Sequence, residues 1–127
     1  MKKRIKSFKY AIKGIRIVFK SEKNMRIHLI VALLVIVAGF LFSISTIEWM
    51  FCLLCFGLVI GAEMINTSIE NIVDLVSPKK HELAGKAKDI AAGAVLVTAI
   101  IAAIIGLIIF VPKLWNTVIA MTPILQN

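Results

Sequence analysis

Acidic residues are scarce in this chain: seven of 127 positions are Asp or Glu against fifteen Lys or Arg, leaving a net charge of +8. A surface that basic suits either nucleic acid or anionic lipid. Cysteine is scarcer still. Cys52 and Cys55 lie inside an apolar run, with no second Cys or His pair to complete a zinc site and no secreted context for a disulfide, so they are expected to pack. His28 and His81 are not at metal-ligand spacing from each other. Each reads as a polar interface residue, His81 being the better functional candidate because it borders the acidic cluster described below. A P-loop is missing as well: the only Gly-Lys dipeptide, Gly85-Lys86, is followed by Ala87, and Lys80 stands where the first glycine belongs. There is no repeat, low-complexity tract or linker, and the chain reads as one domain.

What the chain has in quantity is apolar surface. Hydrophobic residues make up 60% of it and the mean hydropathy is +0.95, well beyond soluble averages. This decides for lipid over nucleic acid. Leu29–Ile47 is nineteen residues without a charge and Ile90–Val111 is twenty-two. Each is long enough to cross a hydrocarbon core of about 30 Å at about 1.5 Å per residue. Trp49–Ala62 is only fourteen residues before Glu63 interrupts it, and alone it fits a re-entrant segment equally well. The flanking charges decide. Ten basic residues precede Leu29 and four lie between Pro78 and Asp89, whereas Ser43–Glu48 has none and the C-terminal tail has only Lys113. By the positive-inside rule the N-terminus and the 77–89 loop are cytoplasmic, so the middle segment must cross and the C-terminus lies outside. A signal peptide is rejected, because the apolar region begins after 28 residues, runs long and has no small-residue cleavage site after it. The expected organisation is all-α: a surface helix and lead-in over 1–28, membrane helices over 29–47, 49–76 and 84–111, and an outer tail over 112–127.

Ile5, Phe8, Ile12, Ile15 and Phe19 recur at helical spacing with Lys2, Lys3, Lys6, Lys9, Lys13 and Arg16 between them. This predicts a basic amphipathic helix lying in the cytoplasmic interface, its lysines toward anionic headgroups. An orientation anchor accounts for it equally well. Gly14, costly inside a helix, marks a bend or a close approach by a ligand. In the third span Ala87, Ala91, Ala94, Thr98, Ala102 and Gly106 form a small-residue stripe that lets helices approach closely in lipid. Because three helices enclose little interior, the chain is expected to oligomerise. The tail after Pro112 reads as an interfacial segment anchored by Trp115.

Five of the seven acids fall between Glu63 and Asp89. At about 100° per residue, Glu63, Asn66, Glu70 and Asp74 point within an arc of roughly 80°, so they share one face of a continuous helix. Carboxylates on an intramembrane helix are expensive and point to function by default. Mg²⁺ takes one or two carboxylates plus substrate phosphates, and Lys79, Lys80, Lys86 and Lys88 follow close by for phosphate. With a deeper carboxylate to accept a proton, these are the parts phosphoryl transfer uses. The plainer alternative is that Glu63, Glu70 and Asp74 pair with lysines of a neighbouring helix.

The run from Glu63 to Asp74, EMINTSIENIVD, followed by HELAGKAKD from His81 to Asp89 and AGAVL from Ala92, resembles the signature of the prokaryotic diacylglycerol kinase and undecaprenol kinase family. The resemblance reaches upstream to Phe8, Tyr10, Lys13-Gly14 and Ser21-Glu22-Lys23-Asn24 and covers roughly residues 5 to 111. It implies a homotrimer of three-helix subunits with an amphipathic surface helix, in the bacterial inner membrane, transferring phosphate from MgATP to a lipid hydroxyl. By the same resemblance Glu63 is the general base and Asn66 orients the reacting groups. Glu22 and Glu70 hold metal and nucleotide phosphates, Lys88 and Asp89 complete the phosphate site, and Tyr10 with Lys79, Lys80 and His81 borders the nucleotide. Asp74 and Gly14 are supporting residues. Glu22 also stands four before Arg26, where a simple helical ion pair is the alternative. The Ser-Glu-Lys-Asn and Asn-Thr-Ser-Ile-Glu segments are more similar to the undecaprenol branch; diacylglycerol is the other acceptor. A pore-forming protein explains three helices and a basic terminus but not the shared polar face. A transporter places its carboxylates near the midplane, and these begin at the inner edge.

Overall fold

A computed structural model describes residues 2–121, with side chains from Arg4 onward. The described residues form four helices: α1 (Lys2–Ser21), α2 (Lys23–Leu41), α3 (Thr46–Val76) and α4 (Glu82–Met121). The last three are each long and apolar enough to cross a membrane, and the chain is a multi-pass membrane protein.

Helical hydrogen bonding and hydropathy stop at different residues. α2 begins at Lys23, before the first apolar run, because Lys23 and Arg26 are good helix formers even though they are not lipid-soluble. Glu22 alone separates it from α1: its backbone is extended (φ −95°, ψ 124°), yet its N–H still donates to the Val18 carbonyl at 3.0 Å. At the other end α2 stops at Leu41, short of the expected Ile47. The cause is a capping box that starts a new helix. Ser45 Oγ accepts from the Glu48 N–H at 3.3 Å and the Ser45 N–H donates to Glu48 Oε2 at 2.7 Å, satisfying two donors at the start of α3. Ser43 makes the turn with φ 48°. Gly39 permits it to close: a Cβ there would meet the Trp49 ring at 2.6 Å.

α3 ends at Val76, where the Ser77 N–H caps the Val73 carbonyl at 2.8 Å and Pro78 follows. α4 then runs unbroken through Pro112 to Met121, well past the expected limit at Val111. Lys113 and Trp115 of the expected tail are therefore helical, and Lys113 Nζ reaches back to Glu48 Oε1 at 3.1 Å, tying α4 to the start of α3. Residues 122–127 of that tail lie outside the described residues.

α4 packs chiefly on α3, with α2 beside them and α1 touching lightly. Near the α2–α3 turn, Ile44, Cys52 and Ile109 form a small core with Trp49, Phe56 and Phe110 against it. Most of the small-residue stripe is half-buried or buried against α3, with Ala94 exposed. The packing face of α3 carries the argument toward function. Its buried positions are Cys52, Cys55, Val59, Glu63, Asn66 and Thr67, steps of three and four that keep one seam turned inward. Along that seam sulfur and hydrocarbon give way to carboxylate and amide.

Candidate active site

Glu63 is 1% exposed, as deeply enclosed as a core residue. Buried charge normally has a partner. Glu63 Oε2 has none among the described residues, and neither has Asn66 Oδ1 one turn along. The rest of the neighbourhood is arranged. Thr67 Oγ1 donates to the Glu63 carbonyl at 3.0 Å, and Asn66 Nδ2 donates to Glu70 Oε1 at 3.2 Å. The second contact fixes the amide, and Asn66 Oδ1 and Glu63 Oε2 remain as two free acceptors among the described residues. Both residues, with Glu70, line a cleft of about 310 Å³ whose other walls are Asn24, Ile27 and His28 of α2 and Ala92, Val95, Leu96 and Ala99 of α4.

A second cleft of about 500 Å³ lies over the α3–α4 loop. Asp74, Lys79, Lys80, His81 and Lys88 line it together, which brings most of the expected phosphate and nucleotide residues to one place. Lys88 Nζ pairs with Asp74 Oδ1 at 2.8 Å, and His81 Nδ1 accepts the Leu83 N–H at 3.2 Å at the start of α4. The polar face of α3 is thus divided. Glu63, Asn66 and Glu70 enter the first cleft and Asp74 the second.

Glu22, at the α1–α2 break, accepts from Ser21 Oγ at 3.0 Å and is close enough to Glu63 for their charges to interact, although it lines neither cleft. The alternative of a Glu22–Arg26 ion pair is not formed: Arg26 instead donates to the Lys20 carbonyl at 2.5 Å. Tyr10 and Asp89 are exposed and line neither cleft, and a Cβ at Gly14 would meet nothing. Among the described residues no three His, Cys, Asp or Glu side chains gather as a metal site. Mg²⁺ needs fewer, since one or two carboxylates and substrate phosphates suffice, so Glu70, half-buried on the wall of the polar cleft, fits that ion.

This chain matches the model of the prokaryotic diacylglycerol kinase family over residues 9–110. The chain belongs to that family. It is therefore a lipid kinase, with ATP as co-substrate. Among its relatives, the undecaprenol kinase of Bacillus subtilis is 49% identical over 86% of this chain and 89% of its own length. A diacylglycerol kinase from Synechocystis is 40% identical over 89% of this chain and 65% of its own length. The diacylglycerol kinase of Haemophilus influenzae is 31% identical over 84% and 92%.

Two cleft residues fell outside the sequence reading of the site. Asn24 stands in the sequence only as the end of the resembling segment Ser21-Glu22-Lys23-Asn24. His28 ranked below His81, yet His28 lines the cleft of Glu63 while His81 serves the loop. A histidine placed at the edge of an apolar run was the available signal.

Proposed function

We propose that this kinase phosphorylates the hydroxyl of undecaprenol, using MgATP, as a homotrimer in the bacterial inner membrane. The observation carrying the chemistry is the buried, unpartnered Glu63 oxygen beside the Asn66 oxygen. A carboxylate oxygen kept from water and from any donor among the described residues is available to take a proton. Glu63 accepts the proton of the lipid hydroxyl; the oxygen then bonds to the γ-phosphorus as the bond to the ADP oxygen breaks. Asn66, fixed by Glu70, orients the reacting groups. Glu70 and Glu22 would hold Mg²⁺, which would supply positive charge to offset that of the phosphates. Lys88, with Asp89 beside it, serves the phosphates, and Tyr10, Lys79, Lys80 and His81 border the nucleotide, with Asp74 holding Lys88 in place.

The acceptor follows from identity, 49% to an undecaprenol kinase against 40% and 31% to diacylglycerol kinases. Diacylglycerol is the second reading, favoured by the number of relatives that carry that name. With both lipids in the same mixed micelles, ATP consumption should be faster with undecaprenol. A clear preference for diacylglycerol overturns the acceptor and leaves the kinase standing.

The charge distribution supports a cytoplasmic N-terminus and an outer C-terminus. The α1 side chains Ile5, Phe8 and Ile12 are uncovered by the rest of the chain at 65%, 72% and 48% exposure, which suits a helix lying among acyl chains and anionic headgroups. Leu33, Leu34, Leu53, Leu54 and Leu107 are likewise exposed and have lipid or neighbouring subunits to meet. For the trimer, mass measurement in mild detergent should give three copies. A stable monomer with full activity removes it.

A further inference from the structure

The largest cavity among those described is neither of the polar clefts but an apolar groove of about 580 Å³ between α2, α3 and α4. Cys52, Cys55, Phe56 and Val59 wall it on one side, and its α4 wall extends from Ala99 to Phe110, about 16 Å along the helix axis. Of all the lining side chains only His28 carries a nitrogen or oxygen. His28 also lines the Glu63 cleft, as does Ala99, so groove and cleft meet at these two residues. The imidazole is half-buried, makes no hydrogen bond or ion pair with other described residues, and is close enough to Glu63 to interact with it electrostatically.

We infer that the groove holds the hydrocarbon chain of the acceptor lipid, and that His28 donates a hydrogen bond to the lipid hydroxyl oxygen, presenting its proton to Glu63. This rests on the lipid kinase reading and adds to it a tail site and a positioning contact. The occupant is argued from continuity. An acceptor lipid is one apolar chain ending in one hydroxyl, and here an apolar groove ends at one imidazole beside one unpartnered carboxylate oxygen. A hydroxyl needs a donor for its lone pair as well as an acceptor for its proton when both leave water. Glu63 and Asn66 supply acceptors, and His28 supplies a ring N–H.

The test uses the whole protein in mixed micelles. His28→Phe keeps a ring of similar size without a donor and should raise KM for undecaprenol about three- to tenfold, the range one neutral hydrogen bond supports. KM for MgATP should stay unchanged, and His28→Gln, which restores an N–H donor, should recover most of the loss. Ala102→Leu narrows the groove wall and should raise KM for undecaprenol while sparing a short-chain prenyl alcohol. Independently of turnover, undecaprenol should slow alkylation of Cys52 and Cys55 by a hydrophobic maleimide. If wild type consumes ATP regardless of lipid, the kinase reading falls and takes this inference with it. If turnover is lipid-dependent but His28→Phe keeps the wild-type lipid KM, only the His28 contact is wrong. Cysteines shielded equally with and without lipid would assign the groove to a second copy of the chain and overturn the tail site.

Discussion

Glu63→Gln is expected to lower lipid phosphorylation by about 10²- to 10⁴-fold, the usual contribution of general-base catalysis, while leaving MgATP affinity close to wild type. The substitution is nearly isosteric and the site is one the fold tolerates, because Glu63 Oε2 has no partner to lose among the described residues. Thr67 bonds the backbone carbonyl of residue 63 and not its side chain, so that contact persists in the variant. What disappears is basicity. An amide cannot take a proton from an alcohol at neutral pH, and the loss falls on the transition state. Depth separates this residue from the nucleotide: Glu63 lies two turns nearer the apolar half of α3 than Glu70, about 10 Å along the axis. A lipid hydroxyl reaches that position from the apolar groove, and a nucleotide approaching from the loop does not. The measurement is turnover with saturating undecaprenol beside equilibrium MgATP binding. Wild-type turnover in Glu63→Gln would remove the residue from the chemistry, and a parallel loss of nucleotide affinity would make it a phosphate or metal ligand instead.

The three spans were legible because a charge-free run of nineteen or more residues has few other uses, and the middle span because basic loops constrain topology. The turn between α2 and α3 was legible in principle. Ser45-Thr46-Ile47-Glu48 is a capping-box pattern, but it stands within an apolar context where hydropathy carries straight through. α4 ran past Pro112 because the missing N–H costs one hydrogen bond while the Glu48–Lys113 pair holds the helix beyond it. In the site, helical periodicity gathered Glu63, Asn66 and Glu70 correctly onto one face. It could not tell that Asp74, on the same face, turns to a different cleft, because that depends on where Lys88 of another helix lies. His28 was illegible for the same reason: its significance comes from standing where two cavities join, and no spacing within α2 encodes that.

Glu70→Gln should behave differently from Glu63→Gln, weakening MgATP binding as well as turnover. Glu70 is half-buried, and one of its oxygens accepts the Asn66 amide at 3.2 Å. Gln keeps an oxygen in that position, so Asn66 stays oriented and the change removes charge with little change of shape. If Glu70 holds Mg²⁺ against the nucleotide phosphates, loss of that charge removes a contact of the charge-assisted class, worth about 1.5–3 kcal/mol. That corresponds to roughly ten- to a hundredfold in MgATP affinity. The deficit should respond to magnesium. Raising Mg²⁺ repopulates a weakened metal site by mass action and should recover part of the rate, whereas no magnesium concentration supplies the base missing from Glu63→Gln. Nucleotide affinity and turnover of both variants across one magnesium series therefore separate the two roles. Two variants with the same nucleotide affinity and the same flat response to magnesium would show that Glu63 and Glu70 do not divide the work between proton and metal.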